Sequence, residues 1–181
     1  MLDYEKLIRD VYDWPKPGID FKDITTVINN PDALCQSVKD LADHFRGQGI
    51  TKVMGAEARG FIFGAPVAIE LGAGFIPCRK PGKLPWKTYS ESYELEYGTD
   101  SLEIHMDSAT PDDKILLVDD LIATGGTAVA EARLAMKTGA SVAGMGFLLS
   151  LDYLNPMRKV RQELGDIDVF SLVHVTEGSE E

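Results

Sequence analysis

The sequence predicts an α/β fold with a central, mostly parallel sheet flanked by helices. Two observations carry that reading. From residue 52 onward, strand-like and helix-like segments alternate, the order of a parallel sheet with covering helices. Residues 115–118 also form a continuous apolar run, as expected of a strand buried on both faces.

In chain order, Tyr4, Leu7, Ile8 and Val11 fall at i, i+3, i+4 and i+7 and predict a short helix. It ends before Trp14-Pro15-Lys16-Pro17-Gly18, whose prolines and glycine impose an irregular turn. Asn30 and Pro31 predict a helix start, as cap and first helical residue. Leu34, Val38, Leu41, Ala42 and Phe45 give that helix one apolar stripe, and Gly47 and Gly49 stop it. Lys52–Ala56 reads as a strand and residues 61–71 as a helix. Pro66 predicts a kink or a later start there, since interior proline costs about 3 kcal/mol. Residues 75–78 form a short strand. After the strand at 115–118 come a small-residue helix, Gly126–Lys137, a strand at 142–149, a helix at 155–164 and a last strand at 169–175.

The segment between the third and fourth elements of that series differs in texture. Tyr93, Leu95 and Tyr97 alternate with Glu94 and Glu96. After Gly98-Thr99-Asp100-Ser101, Leu102, Ile104 and Met106 alternate with Glu103, His105 and Asp107. Period two about a turn predicts an antiparallel hairpin, a candidate flexible flap over residues 80–107. No internal repeat or low-complexity linker is visible. The whole chain, 1–181, reads as a single domain, with a small N-terminal hood over residues 12–28.

Composition narrows the function. With 44% hydrophobic and 26% charged residues, the balance is that of an ordinary globular protein. No apolar stretch approaches the roughly 20 residues of a membrane helix, and charges in the first ten residues argue against a signal peptide. The expectation is a soluble, cytoplasmic protein without a membrane partner. The net charge of −11 opposes nucleic-acid binding, which needs a basic surface. A local basic patch can still hold a small anion: Arg79, Lys80, Lys83 and Lys87 occur with no acidic residue among them. Cys35 and Cys78 have no metal-ligand spacing, and His44, His105 and His174 are scattered.

The strongest chemical signal is Leu116-Leu117-Val118-Asp119-Asp120-Leu121-Ile122-Ala123-Thr124-Gly125-Gly126-Thr127. A buried strand ends in two aspartates, and a Thr/Gly loop leads into a helix. Ligands of open α/β sheets sit beyond the carboxyl ends of the strands. Gly125 and Gly126 let the loop turn its N–H groups inward, and the helix adds its positive end. Together they make an anion site sized for a phosphate. The neighbouring aspartates suit a ribose diol. The run is neither a Walker loop nor a dinucleotide fingerprint.

Residues 118–127 resemble the motif by which type I phosphoribosyltransferases bind phosphoribosyl pyrophosphate (PRPP). Four further segments resemble the adenine-specific members: Pro17-Gly18-Ile19-Asp20-Phe21-Lys22-Asp23-Ile24-Thr25, Gly55-Ala56-Glu57-Ala58-Arg59-Gly60-Phe61-Ile62-Phe63-Gly64, Arg79-Lys80-Pro81-Gly82-Lys83-Leu84-Pro85 and Leu95-Glu96-Tyr97-Gly98. The resemblance runs in order from Tyr12 to Val175 and implies the type I phosphoribosyltransferase fold. It implies adenine and PRPP as substrates, AMP and pyrophosphate as products, and a homodimer. Mg²⁺ is implied as the cofactor, held mainly by PRPP and water, with no side chain assigned to it.

The same resemblance implies the roles. Asp119 and Asp120 hold the ribose hydroxyls, while Ala123, Thr124, Gly125, Gly126 and Thr127 cradle the 5′-phosphate. Ala58 and Arg59 form the pyrophosphate loop, joined by Arg79, Lys80 and Lys83. Phe21 stacks on adenine with Leu121 on the opposite face, and the backbone of Asp20 and Lys22 reads the ring edge. Glu96 is the flap acid of proton transfer. Two departures stand out: Ala58 where many members have serine, and Asp20 where many have an apolar residue. The competing readings are Phe21 as a plain core aromatic, Glu96 on a solvated strand face and the basic segment as a solvated loop. Rival functions are a phosphoribosyltransferase for another base, such as xanthine or orotate, an inactive PRPP-binding regulator, and a PRPP synthetase. The last two call for extra modules or an internal duplication that the chain lacks.

Overall fold

The structure, a computed structural model, describes residues 2–95 and 98–176. Its centre is a five-stranded, wholly parallel sheet in the order β4-β3-β7-β8-β9: Gly74–Cys78, Lys52–Ala56, Lys114–Ile122, Ser141–Leu151 and Asp168–Val175. Successive side chains of a strand point to opposite faces, so the apolar runs divide between two cores. Val53, Leu116, Val118 and Leu148 pack with α2 (Pro31–Phe45) and α3 (Arg59–Leu71). Met54, Ile115, Leu117, Met145 and Phe147 pack with α4 (Gly126–Lys137) and with Val160 of α5 (Pro156–Leu164). A strand with both faces covered reads as unbroken hydrophobic sequence, which is why residues 115–118 were legible. No helix among the described residues is long and apolar enough to cross a membrane.

Strands β3 and β7 and helices α2, α4 and α5 fall where the sequence places them, and β7 extends to Ile122 to include both aspartates. Asn30 caps α2 as expected, its side-chain oxygen accepting from the backbone N–H groups of Asp32 and Ala33 at 3.1 Å each. Three expectations need correction. The N-terminal helix is instead a 3₁₀ turn, Glu5–Leu7, followed by β1 (Arg9–Val11), which pairs antiparallel with β2 (Phe21–Asp23). An isolated helix of two turns is marginal, whereas here Tyr4 is buried with its hydroxyl 2.6 Å from Asp40, and β1 gains a partner strand. Helix α3 begins at Arg59 and continues through Pro66 to Leu71. Burial of Phe63, Val67 and Ala68 on both sides of the proline outweighs the hydrogen bond it cannot donate.

The third correction concerns the hairpin. It exists as β5 (Thr88–Leu95) and β6 (Gly98–His105), but Gly98-Thr99-Asp100-Ser101 belongs to β6 rather than to the turn, because Leu95 pairs with Gly98. Glu96 and Tyr97 lie outside the described residues. The lower part of the hairpin is anchored: Leu102 and Ile104 are buried in the α4 core, and Glu91 meets Lys137 at 2.7 Å. The expected hood, residues 12–28, contains β2 and α1 (Thr25–Ile28); ahead of it in the chain, Ile8 packs in one cluster with Leu121, Leu149 and Val175.

Candidate active site

Strand β7 carries Asp119 and Asp120 to the carboxyl end of the sheet, and residues 123–125 turn the chain into α4. Gly125 holds that turn at φ +84°. A Cβ there would lie 2.9 Å from the Pro156 carbonyl oxygen, so both backbone conformation and space require glycine. No side chain caps α4. Its first N–H groups and its positive end therefore remain for an anion. Residues Ala123 through Thr127 line a cavity of about 180 Å³ together with Arg59, Asp119, Asp120, Leu121, Glu131 and Phe147.

A second cavity, of about 390 Å³, adjoins the first and shares Arg59, Asp119, Asp120 and Thr127 with it. Ala58, Glu57, Lys80 and Tyr93 complete its wall. Ala58 stands at the start of α3 and offers no side-chain cap, so the first N–H groups of that helix are also left for a ligand. The helix approaches closely because residue 60 is glycine: a Cβ on Gly60 would come within 2.8 Å of Asp119 Oδ1. Two helix starts thus converge on one pair of carboxylates.

Three cations of this region are already matched by acids of the chain. Arg59 Nε lies 2.5 Å from Asp120 Oδ2. The contact is ionic but poorly aligned, and that oxygen has no hydrogen-bond partner. Arg79 pairs with Glu57 at 3.0 Å, and the Lys80 N–H donates to the same carboxylate at 2.5 Å. Lys80 Nζ pairs with Asp100 of β6. The backbone N–H of Lys80, with Arg79 beside it, holds the Glu57 carboxyl below its usual range. In the opposite sense, burial and the charges of Glu131 and Asp120 push Asp119 well above the ordinary carboxylate range. Burial, reinforced by Asp120, pushes Glu131 up to about 8.

The two cavities bring together Ala58, Arg59, Lys80, Asp119, Asp120, Leu121, Ala123, Thr124, Gly125, Gly126 and Thr127. Arg79 stands behind this wall on Glu57, and Lys83, which lines neither cavity, accepts from Arg79 through its carbonyl at 3.2 Å. Asp20, Phe21 and Lys22 line neither cavity. They lie in the hood, where Phe21 meets Trp14 edge-on with ring centroids 4.5 Å apart. Lys22 Nζ bridges Asp20 at 2.9 Å and Asp10 at 2.6 Å. The Asp20 carboxylate is thus tied to its own hairpin. Glu96 lies outside the described residues.

Sequence reasoning missed Glu57, Tyr93, Asp100 and Glu131. A lone acid on the inner face of α4, among buried Ala128, Ala132 and Ala135, was a readable signal for Glu131. The other three have no local signature, because their partners are 7 to 23 residues away in the chain. A larger cavity, of about 540 Å³, lies elsewhere, between the N-terminal residues and β9, and contains none of these groups.

Comparison with known proteins gives the family. The family model described as phosphoribosyl transferase domain matches residues 26–177. The adenine phosphoribosyltransferase of Desulfitobacterium hafniense is 53% identical over 172 residues, covering 95% of this chain and 97% of its own. The crystal structure of the enzyme of the same name from Thermoanaerobacter pseudethanolicus superposes with a TM-score of 0.88 at 46% identity, over 95% of this chain and 98% of that one. The Giardia lamblia enzyme, solved in complex with 9-deazaadenine, gives a TM-score of 0.88 at 35% identity, over 95% and 96% of the two chains. The chain belongs to the phosphoribosyl transferase family, among the adenine phosphoribosyltransferases.

Proposed function

We propose that the two adjoining cavities are the PRPP site of this enzyme and that the hood binds the adenine base. The activity is transfer of the 5-phosphoribosyl group of PRPP to adenine, giving AMP and pyrophosphate, a step of purine salvage. One observation carries the site assignment: two uncapped helix starts and two cations, Arg59 and Lys80, surround two strand-end carboxylates. Residues 123–127 take the 5′-phosphate on backbone N–H groups, with Thr124 and Thr127 adding hydroxyls. Asp119 and Asp120 hold the ribose hydroxyls. Ala58, Arg59, Arg79, Lys80 and Lys83 face the pyrophosphate.

In the reaction the bond from the anomeric carbon to pyrophosphate breaks and a bond to a purine nitrogen forms. Positive charge develops on the ribose and negative charge on the leaving group, so carboxylates near the first and cations near the second lower the barrier. The internal ion pairs hold those cations in place until substrate arrives. When pyrophosphate draws Arg59 away, Asp120 is released toward the ribose. Phe21 stacks on adenine, opposite Leu121, while the backbone of Asp20 and Lys22 reads its edge. Glu96 accepts the proton that the purine nitrogen loses. Magnesium would be held mainly by PRPP oxygens and water, with no side chain assigned to it, and would neutralise charge on the leaving pyrophosphate.

Three wider features belong to the same proposal. The chain acts as one domain, with a flap over residues 80–107 that closes over the site. It works as a homodimer, in which a second copy covers apolar side chains such as Ile69, 80% exposed; light scattering in solution tests this. It resides in the cytoplasm, where thiols such as Cys35 and Cys78 stay reduced. The site assignment is tested by Asp120→Asn. It should lower kcat/KM by about 10²- to 10³-fold, the effect of removing one charge-stabilising group. Steady-state kinetics near the wild-type values would show that the strand-end carboxylate takes no part in the transfer.

A further inference from the structure

Glu131 is a carboxyl group without an assigned role. It is 2% exposed, yet it lines the same cavity as Ala123 through Thr127. It follows Thr127 by four residues, so the two share one face of α4. Among the described residues it has no hydrogen bond or ion pair. It shares the cavity with Asp119 and Asp120, whose Oδ2 also lacks a hydrogen-bond partner although the residue is only 4% exposed. The only cation lining that cavity is Arg59, which Asp120 already engages. Glu131 also lies beyond the first turn of α4, where the helix end has little power to stabilise a negative charge. A further negative charge on Glu131 is therefore not supported by its surroundings.

We infer that Glu131 serves as a neutral carboxylic acid beneath the phosphate cradle, and that the site binds a phosphorylated ribose only while Glu131 keeps its proton. This rests on the reading that residues 123–127 take the 5′-phosphate. Ionised Glu131 would place a negative charge in the same small cavity as a phosphate dianion, at low local dielectric. The bound phosphate in turn holds the proton on Glu131. Binding from alkaline solution is then accompanied by proton uptake, and affinity falls as pH rises past the point at which the free protein ionises. Burial and the Asp120 charge set that point at about 8.

The neighbouring groups leave this signal readable. From β7, Asp119 and Asp120 face Glu131; from β4, the Cys78 thiol does so; Arg59 of α3 lies at the rim. Tyr93 of β5 and Lys80 stand in the adjoining cavity. Asp100 of β6 is paired with Lys80. Lys159 and Glu163 of α5 line a different cavity with Arg133, and β8 contributes Phe147. Burial raises the Cys78 thiol and the Tyr93 phenol above their usual values, and the Asp100 carboxylate raises Lys80 against the opposing effect of burial, so all three titrate at higher pH. Asp119 remains, because it too is raised.

The test measures ribose 5-phosphate binding to the full chain by calorimetry from about pH 7 to about pH 9, a range in which the ligand stays a dianion. For wild type, Kd should rise by up to about tenfold, following the shrinking neutral fraction. Glu131→Gln keeps the shape and removes the titration, so its Kd should stay flat. An equal rise in the variant would assign the effect to Asp119 and overturn the inference, as would a flat wild-type curve. Wild type alone gives a second reading: at the alkaline end, heats in two buffers of different ionisation enthalpy should show proton uptake on binding. No uptake, or release, overturns the inference. If neither protein binds ribose 5-phosphate at neutral pH, the cradle reading itself falls and the inference falls with it.

Discussion

Single side chains at the site divide into those that a ligand would touch and those that hold them there. Asp119, Asp120 and the glycine-bearing loop were legible because a local rule governs each: an apolar strand, an acidic end, then residues that tolerate a tight turn. Glu57 and Asp100 were not. Their importance comes from partners or cavities assembled by the fold, and an exposed acid and a buried one look the same in a sequence. Phe21 is intermediate. In the hood it meets Trp14 edge-on, a contact open to a base platform and to plain packing alike. Removing the ring should raise KM for adenine by about 5- to 10-fold with little change in kcat, the size of one aromatic contact. Initial rates of Phe21→Ala across adenine concentrations measure this, and an unchanged KM would leave Phe21 a packing residue.

Among the elements, those with two-sided burial or an explicit cap were read correctly. Strands β3 and β7, and the Asn30-capped α2, are examples. The failures are also physical. Four apolar residues at helical spacing near the N-terminus serve instead a 3₁₀ turn and an edge strand, because the decisive contacts, Tyr4 with Asp40 and β1 with β2, are long-range. The hairpin shows the same limit. Alternation identified both strands, but the register that places Tyr93 opposite Asp100 depends on pairing that the pattern does not encode. Its anchoring makes a prediction at this scale. Leu102 is 1% exposed within the α4 core, so Leu102→Ala should destabilise the protein by about 2–5 kcal/mol. Denaturant midpoints report the loss, and a change within error would mean that the hairpin is not part of the cooperative core.

For the whole molecule, the sheet places an acidic cluster at its carboxyl end inside a chain that is acidic overall. That arrangement makes stability depend on pH. The folded state raises Glu131 from 4.5 to about 8, so between those values the folded protein keeps a proton that the unfolded chain has released. The stabilisation is fully present below the unfolded value and is lost as pH rises through the folded one. Glu131→Gln, neutral throughout, should therefore leave Tm nearly unchanged at pH about 4 and raise it at pH about 8, by about 2–4 °C for each kcal/mol recovered. Thermal melts of both proteins at the two pH values check the sign, and a lower Tm for the variant at the alkaline value contradicts it.

The most direct measurement supplies the purified protein with PRPP, Mg²⁺ and, in turn, adenine, hypoxanthine, guanine, xanthine and orotate, and follows nucleotide formation by chromatography. The account predicts AMP from adenine and little or no nucleotide from the other four bases. Efficient product from another base would contradict the reading of Phe21 and the hood while leaving the PRPP site intact. No product from any base, with PRPP bound, would contradict the activity itself.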